Sequence, residues 1–331
     1  MQQRRLGTQG PMVSALGLGC MGMSEFYGPS DDAQSLRTLA RALELDVTLF
    51  DTADTYGLGH NEQLLGRFIA EGGPVRRQRM VLATKFGIVR EAGRYERRID
   101  NSPAYIQAAC EASLRRLGVE QIDLYYCHRR DPAVPIEDVV GAMARLVAEG
   151  KVAAIGLSEV SQQTLRRAHA VHPIAAVQSE YSLWSREPEQ GMLAACAEQG
   201  TAFVAYSPLG RAFLTATVAA DQLAENDFRR HNPRFIGEAE AHNRRLVAAL
   251  GEFAKARGWS NAQIALAWLL NKHPHVIPIP GTRRIAYLES NVAAADITLT
   301  AGEIAELDHL FDAAAIAGER YPEAGFAGVE R

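Results

Sequence analysis

The chain has 331 residues, 47% of them hydrophobic and 22% charged, which is an ordinary balance for a globular protein. Its formal charge of −4 gives no reason to expect nucleic acid or an anionic membrane as a partner. The absence of a long apolar segment, a signal region or a C-x-x-C pair indicates a cytoplasmic protein with reduced thiols.

A hairpin is predicted first, because residues 4–7 and 12–13 flank a Gly-Pro turn. Short apolar runs then alternate with longer amphipathic stretches as far as about residue 295. The predicted strands are 14–19, 47–50, 80–85, 122–127, 152–157, 175–178, 202–206 and 276–280. The predicted helices include 35–45, 103–117, 136–149, 162–172 and 188–199.

Apolar strands that alternate with helices indicate a parallel sheet buried on both faces, and eight such units match a (β/α)8 TIM barrel. We expect one domain over residues 1–331, with the hairpin closing the N-terminal mouth of the barrel. A long polar loop, roughly 211–239, is expected after the seventh strand.

The glycines at 17, 19 and 22 spell G-x-G-x-x-G after the first predicted strand. A Rossmann loop of this type requires a helix that opens at once and holds a pyrophosphate. Helix signals begin only near Asp31, so we interpret the segment as a flexible first βα loop where a ligand approaches the backbone.

Four polar residues follow the ends of predicted strands. Asp51 and Tyr56 follow the second, Lys85 ends the third, and His128 follows the fourth. Parallel strands bring such residues to one face of a barrel. A carbonyl that accepts hydride needs a proton donor, and a lysine beside a tyrosine is expected to lower the phenol pKa from about 10. The set therefore indicates reduction of aldehydes or ketones.

Motifs along nearly the whole chain resemble the aldo-keto reductase family. They lie at 50–57, 61–62, 83–87, 123–128, 156–158, 178–182, 205–210, 280–283 and 291. The segments 128–132 and 178–187 are most similar to the auxin-induced-protein-like branch. The resemblance implies Tyr56 as general acid, Lys85 and Asp51 as its tuning pair, and His128 as the residue that orients the carbonyl.

The resemblance also implies NADPH as the cofactor, bound in an extended form. Ser158 and Gln178 would bond the nicotinamide amide, and Tyr206 would stack on its ring. The remaining expected cofactor contacts are Gly22, Met23, Asp51, Ser207, Pro208, Leu209, Gly210, Arg211, Gly281, Thr282, Arg283 and Asn291. An arginine fork at 283 suits the 2′-phosphate of NADPH.

Two departures from the family pattern bear on the site. Many relatives carry asparagine where this chain has Glu159, which puts one amide contact in doubt. The segment 211–214 has lost a glycine, so a stiffer phosphate loop is expected. Tyr27 and Trp184 are candidates for the pocket wall or for packing, and Phe228 and Phe235 are candidates for a lid.

The favoured function is therefore an NADPH-dependent reductase of small carbonyl compounds, without a metal ion. A redox-sensing subunit that holds NADPH with little turnover would keep the same four residues, so this alternative stays open. The substrate cannot be deduced from loops of this kind. Assembly into a homo-oligomer also stays open.

Overall fold

The computed structural model describes residues 1–92, 97–218 and 223–330. Two short strands, β1 (Gln3–Arg5) and β2 (Met12–Ser14), pair antiparallel as the predicted hairpin. Residues 219–222 of the expected long loop and residue 331 lie outside the described residues.

Eight parallel strands form the central sheet, in the order in which they occur along the chain. They are β3 (Leu18–Gly19), β4 (Leu49–Asp51), β5 (Val81–Phe86), β8 (Ile122–Cys127), β9 (Val152–Ser158), β10 (Ala176–Glu180), β11 (Ala202–Tyr206) and β12 (Val276–Pro278). A further antiparallel pair, β6 (Ile88–Arg90) and β7 (Arg97–Ile99), follows β5 and was not predicted.

Helices connect the strands and cover the outside of the sheet. They are α1 (Asp32–Glu44), α2 (His60–Gln78), α3 (Pro103–Leu117), α4 (Ile136–Ala148), α5 (Gln162–Val171), α6 (Met192–Gln199), α7 (Gly237–Lys255), α8 (Asn261–Lys272), α9 (Ile285–Ala293) and α10 (Ala301–Leu310). None of the helices in the described ranges is long and apolar enough to span a membrane.

The first and last strands meet, and the sheet closes into the predicted barrel. Gly17 donates its N–H to the Pro278 carbonyl at 3.0 Å, and Gly19 forms a parallel bridge with Gly281. A Cβ atom at Gly19 would lie 2.9 Å from the backbone oxygen of Ile279. Gly17 and Gly19 therefore permit the close approach of two strands. The α-helix that follows them, α1, begins only at Asp32 and not directly after the glycines. The Rossmann interpretation is excluded on structural grounds.

The structure confirms some of the helix boundaries expected from the sequence and changes others. Asp31 and Ser102 cap α1 and α3 with their side chains, as such residues do at helix N-termini. The predicted helix 188–199 is divided at Gly191, whose φ of 127° is incompatible with a helix. A short 3₁₀ turn, Glu187–Gln190, precedes this break and α6 follows it.

The hairpin covers the N-terminal mouth of the barrel, as predicted. Leu6, in its turn, is fully buried in a cluster with barrel residues such as Leu49, Leu124 and Ile277. This cluster is separate from the larger one that includes helical residues such as Leu39, so the hairpin adds a side chain to the barrel interior.

Replacement of Leu6 by alanine should lower the free energy of unfolding by about 2–5 kcal/mol, because it removes a fully buried side chain and leaves a cavity. Urea titration of the two proteins measures the change. Met12→Ala, in the same hairpin, is the control. Met12 is 42% exposed, and its replacement should cost less than about 0.5 kcal/mol. Equal losses for the two variants would contradict a packing role for Leu6.

Candidate active site

The four predicted polar residues lie together at the C-terminal end of the barrel strands. Asp51 is the last residue of β4, Lys85 lies near the end of β5, and His128 follows β8 directly. Tyr56 opens the 3₁₀ turn Tyr56–Gly59 that leads from β4 to α2. The parallel register of β4, β5 and β8 brings these chain segments to one edge.

The lysine ammonium is completely buried and fully partnered. Lys85 Nζ donates to Asp51 Oδ1 at 2.5 Å and to the Thr52 carbonyl at 2.7 Å. It also approaches the Tyr56 hydroxyl at 3.4 Å. Burial lowers the pKa of Lys85, while the Asp51 carboxylate opposes that shift. The carboxylate thereby helps to keep a positive charge next to the phenol.

The Tyr56 hydroxyl departs from the sequence-based expectation. Burial, followed by the charge of Asp51, raises its pKa well above 10 instead of lowering it. Desolvation outweighs the attraction of the phenolate to nearby cations. The phenol is therefore protonated at neutral pH, which is the state that a proton donor requires. Its ring meets the His128 ring edge to face, with centroids 5.8 Å apart.

A cavity of about 550 Å³ extends from this cluster along the mouth of the barrel. Most of the predicted site residues contribute to its wall: Gly22, Asp51, Tyr56, His128, Ser158, Gln178, Tyr206, Ser207, Pro208, Leu209, Arg211, Gly281, Thr282 and Arg283. Four others do not: Lys85 lies behind Asp51 and Tyr56, and Met23, Gly210 and Asn291 are also outside the wall. Met23 and Asn291 are buried in the protein, and Gly210 packs against Trp184.

The polar residues expected around the nicotinamide are held in place by their neighbours. Gln178 Nε2 donates to Asp51 Oδ2 at 2.7 Å, and the Tyr206 hydroxyl donates to Glu159 at 2.7 Å. Ser158 Oγ accepts from Arg129 at 3.2 Å. A hydroxyl, an amide and a flat aromatic ring thus border the cavity together with Asp51 and Tyr56.

The loop after β11 has an unusual backbone. Ser207, Gly210, Arg211 and Ala212 all have positive φ angles, between 48° and 71°. Neighbouring left-handed residues turn backbone N–H groups toward one side, an arrangement that can hold phosphate oxygens. The Arg211 guanidinium instead points to Glu180 and binds both carboxylate oxygens, at 3.2 and 2.7 Å.

Arg283 is a further residue of the cavity wall. Its guanidinium donates to the carbonyl oxygens of Tyr27 at 2.8 Å and Gly22 at 3.2 Å. It therefore connects the first βα loop to the segment before α9. Arg284 lies beside it on the same wall, with its guanidinium over the Tyr287 ring.

Several residues of the cavity wall were not predicted from the sequence. Arg129 lines the cavity next to His128, and Tyr321 reaches it from the C-terminal segment. Arg320 binds both oxygens of Glu159, at 2.9 and 2.7 Å. The unusual Glu159 was the only local signal for this contact, because its partner is 161 positions away.

The candidates for the pocket wall, Tyr27 and Trp184, and those for the lid, Phe228 and Phe235, divide between the cavity and the core. Tyr27 and Phe228 line the cavity, and the Phe228 N–H donates to the Phe26 carbonyl at 3.1 Å across the mouth. Trp184 and Phe235 instead pack with Phe213 in the core.

These residues fit an extended nicotinamide dinucleotide. A flat ring, amide partners, a run of left-handed backbone and two arginines all border the cavity. Within the described ranges, no three His, Cys, Asp or Glu side chains gather as a metal site would require. A closed barrel with this site at its C-terminal mouth has the form of an oxidoreductase that works with such a cofactor.

Comparison with known proteins agrees with this class. The Aldo/keto reductase family model matches residues 15–312, and the chain belongs to this family of NAD(P)-dependent oxidoreductases. Similar solved structures include the glycerol dehydrogenase AKR11B4 from Gluconobacter oxydans, which is 29% identical with a TM-score of 0.83. That comparison covers 93% of this chain and 94% of the dehydrogenase.

Two further structures are similar over almost their full length. Aldo-keto reductase AKR11C1 from Bacillus halodurans, in its holo form, is 30% identical with a TM-score of 0.79, over 95% of this chain and 97% of that one. The thermostable aldo-keto reductase Tm1743, solved with the inhibitor epalrestat, is 31% identical with a TM-score of 0.74. That comparison covers 94% of this chain and all of the Tm1743 chain.

Ala212, with a φ of 71°, stands in a backbone conformation that favours glycine. Ala212→Gly should therefore leave the free energy of unfolding unchanged or raise it, by up to about 1 kcal/mol. Ala108→Gly, at an exposed position inside α3, is the matched control and should lower it by about 1 kcal/mol. Urea titration measures both. A similar loss for both variants would show that Ala212 is not strained.

Proposed function

We propose that this protein reduces a small aldehyde or ketone to an alcohol with NADPH, and that Tyr56 supplies the proton. Membership of the aldo/keto reductase family carries the coarser statement, NAD(P)H-dependent carbonyl reduction. The observation that supports the finer one is the Tyr56 hydroxyl itself. It borders the cavity and lies 3.4 Å from the buried ammonium of Lys85.

Each residue of the cluster has a distinct task in this proposal. Tyr56 donates its hydroxyl proton to the carbonyl oxygen as negative charge develops there. Lys85 stabilises the phenolate that remains, and Asp51 holds the ammonium in position. His128, whose ring meets that of Tyr56, orients the carbonyl oxygen. When bound, the reduced nicotinamide supplies the hydride to the carbonyl carbon.

The cofactor would be held by the residues along the cavity. Ser158 and Gln178 would bond its amide, and the Tyr206 ring would lie against the nicotinamide face. The segment 207–211 would follow the pyrophosphate, and residues 281–283 would hold the adenosine end. The glycine pattern, Gly22 included, borders the same cavity.

The Tyr56→Phe variant tests the proton donor. It should bind NADPH with the affinity of the parent and reduce aldehydes about 10²–10⁴-fold more slowly, because only the acid is removed. Fluorescence titration measures the affinity, and loss of the near-ultraviolet absorbance of NADPH measures turnover. Tyr105→Phe is the control, since the Tyr105 hydroxyl approaches Asp54 outside the cavity.

Turnover by Tyr56→Phe at the rate of the parent would refute the assignment. If the parent itself retained NADPH tightly and turned over no aldehyde of a broad panel, a redox-sensing role would replace the reductase. Short polyhydroxylated carbonyl compounds belong in the panel, because one similar structure is a glycerol dehydrogenase.

NADPH is preferred to NADH in this proposal because Arg283, whose guanidinium fork suits a 2′-phosphate, borders the cavity. Arg283→Ala should weaken NADPH binding at least about tenfold more than NADH binding, since only NADPH has the 2′-phosphate. Fluorescence titration with both cofactors measures the ratio. Arg284→Ala is the matched control. Equal losses for the two cofactors would show that Arg283 serves only to hold the carbonyls of Gly22 and Tyr27.

Residues 1–331 are proposed to act as one domain. Leu6 from the N-terminal hairpin lies in the barrel interior, and Arg320 and Tyr321 from the C-terminal segment complete the surroundings of the cavity. Placement in the auxin-induced-protein-like branch is likewise a proposal, supported by the motifs at 128–132 and 178–187. The cytoplasmic location stays a prediction.

A further inference from the structure

Several arginines border the cavity, and three of them have a carboxylate partner. Arg90 binds Glu25 at 2.9 Å. Arg211 binds Glu180 at 2.7 Å. Arg229 binds Asp227 at 2.7 Å. Their charges are therefore compensated within the protein. Arg283 lines the cavity where the 2′-phosphate is proposed to lie, and Arg284 stands beside it.

Arg129 is a further arginine of the cavity wall, and it lies beside His128. It follows His128 directly, lines the cavity and is only 6% exposed. Its Nη1 atom donates to the His128 carbonyl at 2.7 Å and to Ser158 Oγ at 3.2 Å, and both acceptors are neutral. Its Nε atom has no hydrogen-bond partner among the described residues.

No carboxylate among the described residues forms an ion pair with Arg129, although Tyr206, Tyr321 and Glu159 together raise its pKa against the effect of burial. Glu159, the carboxylate that acts on it most strongly, is bound through both oxygens by Arg320. Glu159 therefore forms its ion pair with Arg320 and not with Arg129. A buried charge without a counter-ion costs several kcal/mol unless a ligand supplies the opposite charge.

The guanidinium is also fixed near the reacting groups. The Arg129 carbonyl accepts from Asn101 Nδ2 at 3.1 Å, which anchors the main chain at this position. The positive charge of Arg129 opposes the effect of burial on the pKa of Tyr56, and the Arg129 Nη1 atom is hydrogen-bonded to the backbone of His128. A group bound to Arg129 would accordingly lie close to a carbonyl placed between Tyr56 and His128.

We propose that Arg129 forms an anion subsite for the substrate, and that the preferred substrates are short oxo acids, aldehydes or ketones that carry a carboxylate. The inference rests on the proposed reductase function and narrows its substrate class. The nicotinamide amide is neutral, and in the proposed binding mode the cofactor phosphates lie against residues 207–211 and 281–283. The substrate is therefore the component that would bring a negative charge to Arg129.

The test compares matched pairs of substrates that differ in charge. Succinic semialdehyde and glyoxylate are each measured against their neutral methyl esters, with NADPH saturating. The parent should show a higher kcat/KM for at least one acid than for its ester, by about tenfold or more. In Arg129→Gln the acid-to-ester ratio should fall by about 10- to 100-fold, because the ion pair is lost. Arg129→Lys should retain part of the preference.

Arg90→Gln is the matched control, since it removes one positive charge from the same wall. The change in the acid-to-ester ratio in this variant measures the effect of the overall positive charge of the cavity. That change should be less than about threefold. Circular dichroism and the NADPH dissociation constant show whether each variant is folded. If Arg129→Gln does not fold, inhibition of the parent provides the second measurement. Butanoate should then compete with a neutral aldehyde at least about tenfold better than butanamide does.

The outcomes separate this inference from the proposed function. Reduction of esters and acids with equal kcat/KM by the parent, or a ratio unchanged in Arg129→Gln, would overturn the anion subsite and leave the reductase intact. Weaker NADPH binding in Arg129→Gln with an unchanged ratio would likewise overturn it, in favour of a cofactor contact. Failure of the parent to reduce any carbonyl compound would overturn the reductase itself.

Discussion

The contact between Lys85 and Asp51 is the interaction on which the site depends. A completely buried ammonium is unfavourable unless a counter-ion and further acceptors surround it. Asp51 comes from one strand and Lys85 from the next, and Gln178 donates to the second oxygen of Asp51 from 127 positions away in the sequence. This arrangement exists only when the barrel is closed. The contacts that arrange the site therefore depend on the closed barrel.

The barrel could be predicted because its signals are local. Each strand is a short apolar run, and polar residues such as Lys85 and His128 stand where these runs end. The β6–β7 pair was missed because it lies outside the alternation of strands and helices. The role of the two glycines at 17 and 19 in strand packing was not predicted, for another reason. Their small size is required by a neighbouring strand from the other end of the sequence, a contact that no local pattern reveals.

The site was predicted less completely than the fold, again for physical reasons. Residue types and strand ends indicated the four polar residues of the site. The direction of the Tyr56 pKa shift depends on burial, which the spacing of residues in the sequence does not reveal. Arg129 is an ordinary basic residue in the sequence, and only its enclosure among neutral acceptors distinguishes it. Trp184 was undecided between pocket and core, and its contacts with Phe213 assign it to the core.

The ion pair between Glu159 and Arg320 has a consequence for biosynthesis. Synthesis proceeds from the N-terminus, so all eight barrel strands are made before Arg320 is added. A nascent chain on the ribosome can therefore assemble the sheet while Glu159 still lacks its counter-ion, and Tyr206 still lacks its hydrogen bond to Tyr321. The last part of the wall forms only after release of this segment from the exit tunnel. The part of the cavity wall that includes Tyr321 is thus completed after the barrel that supports it.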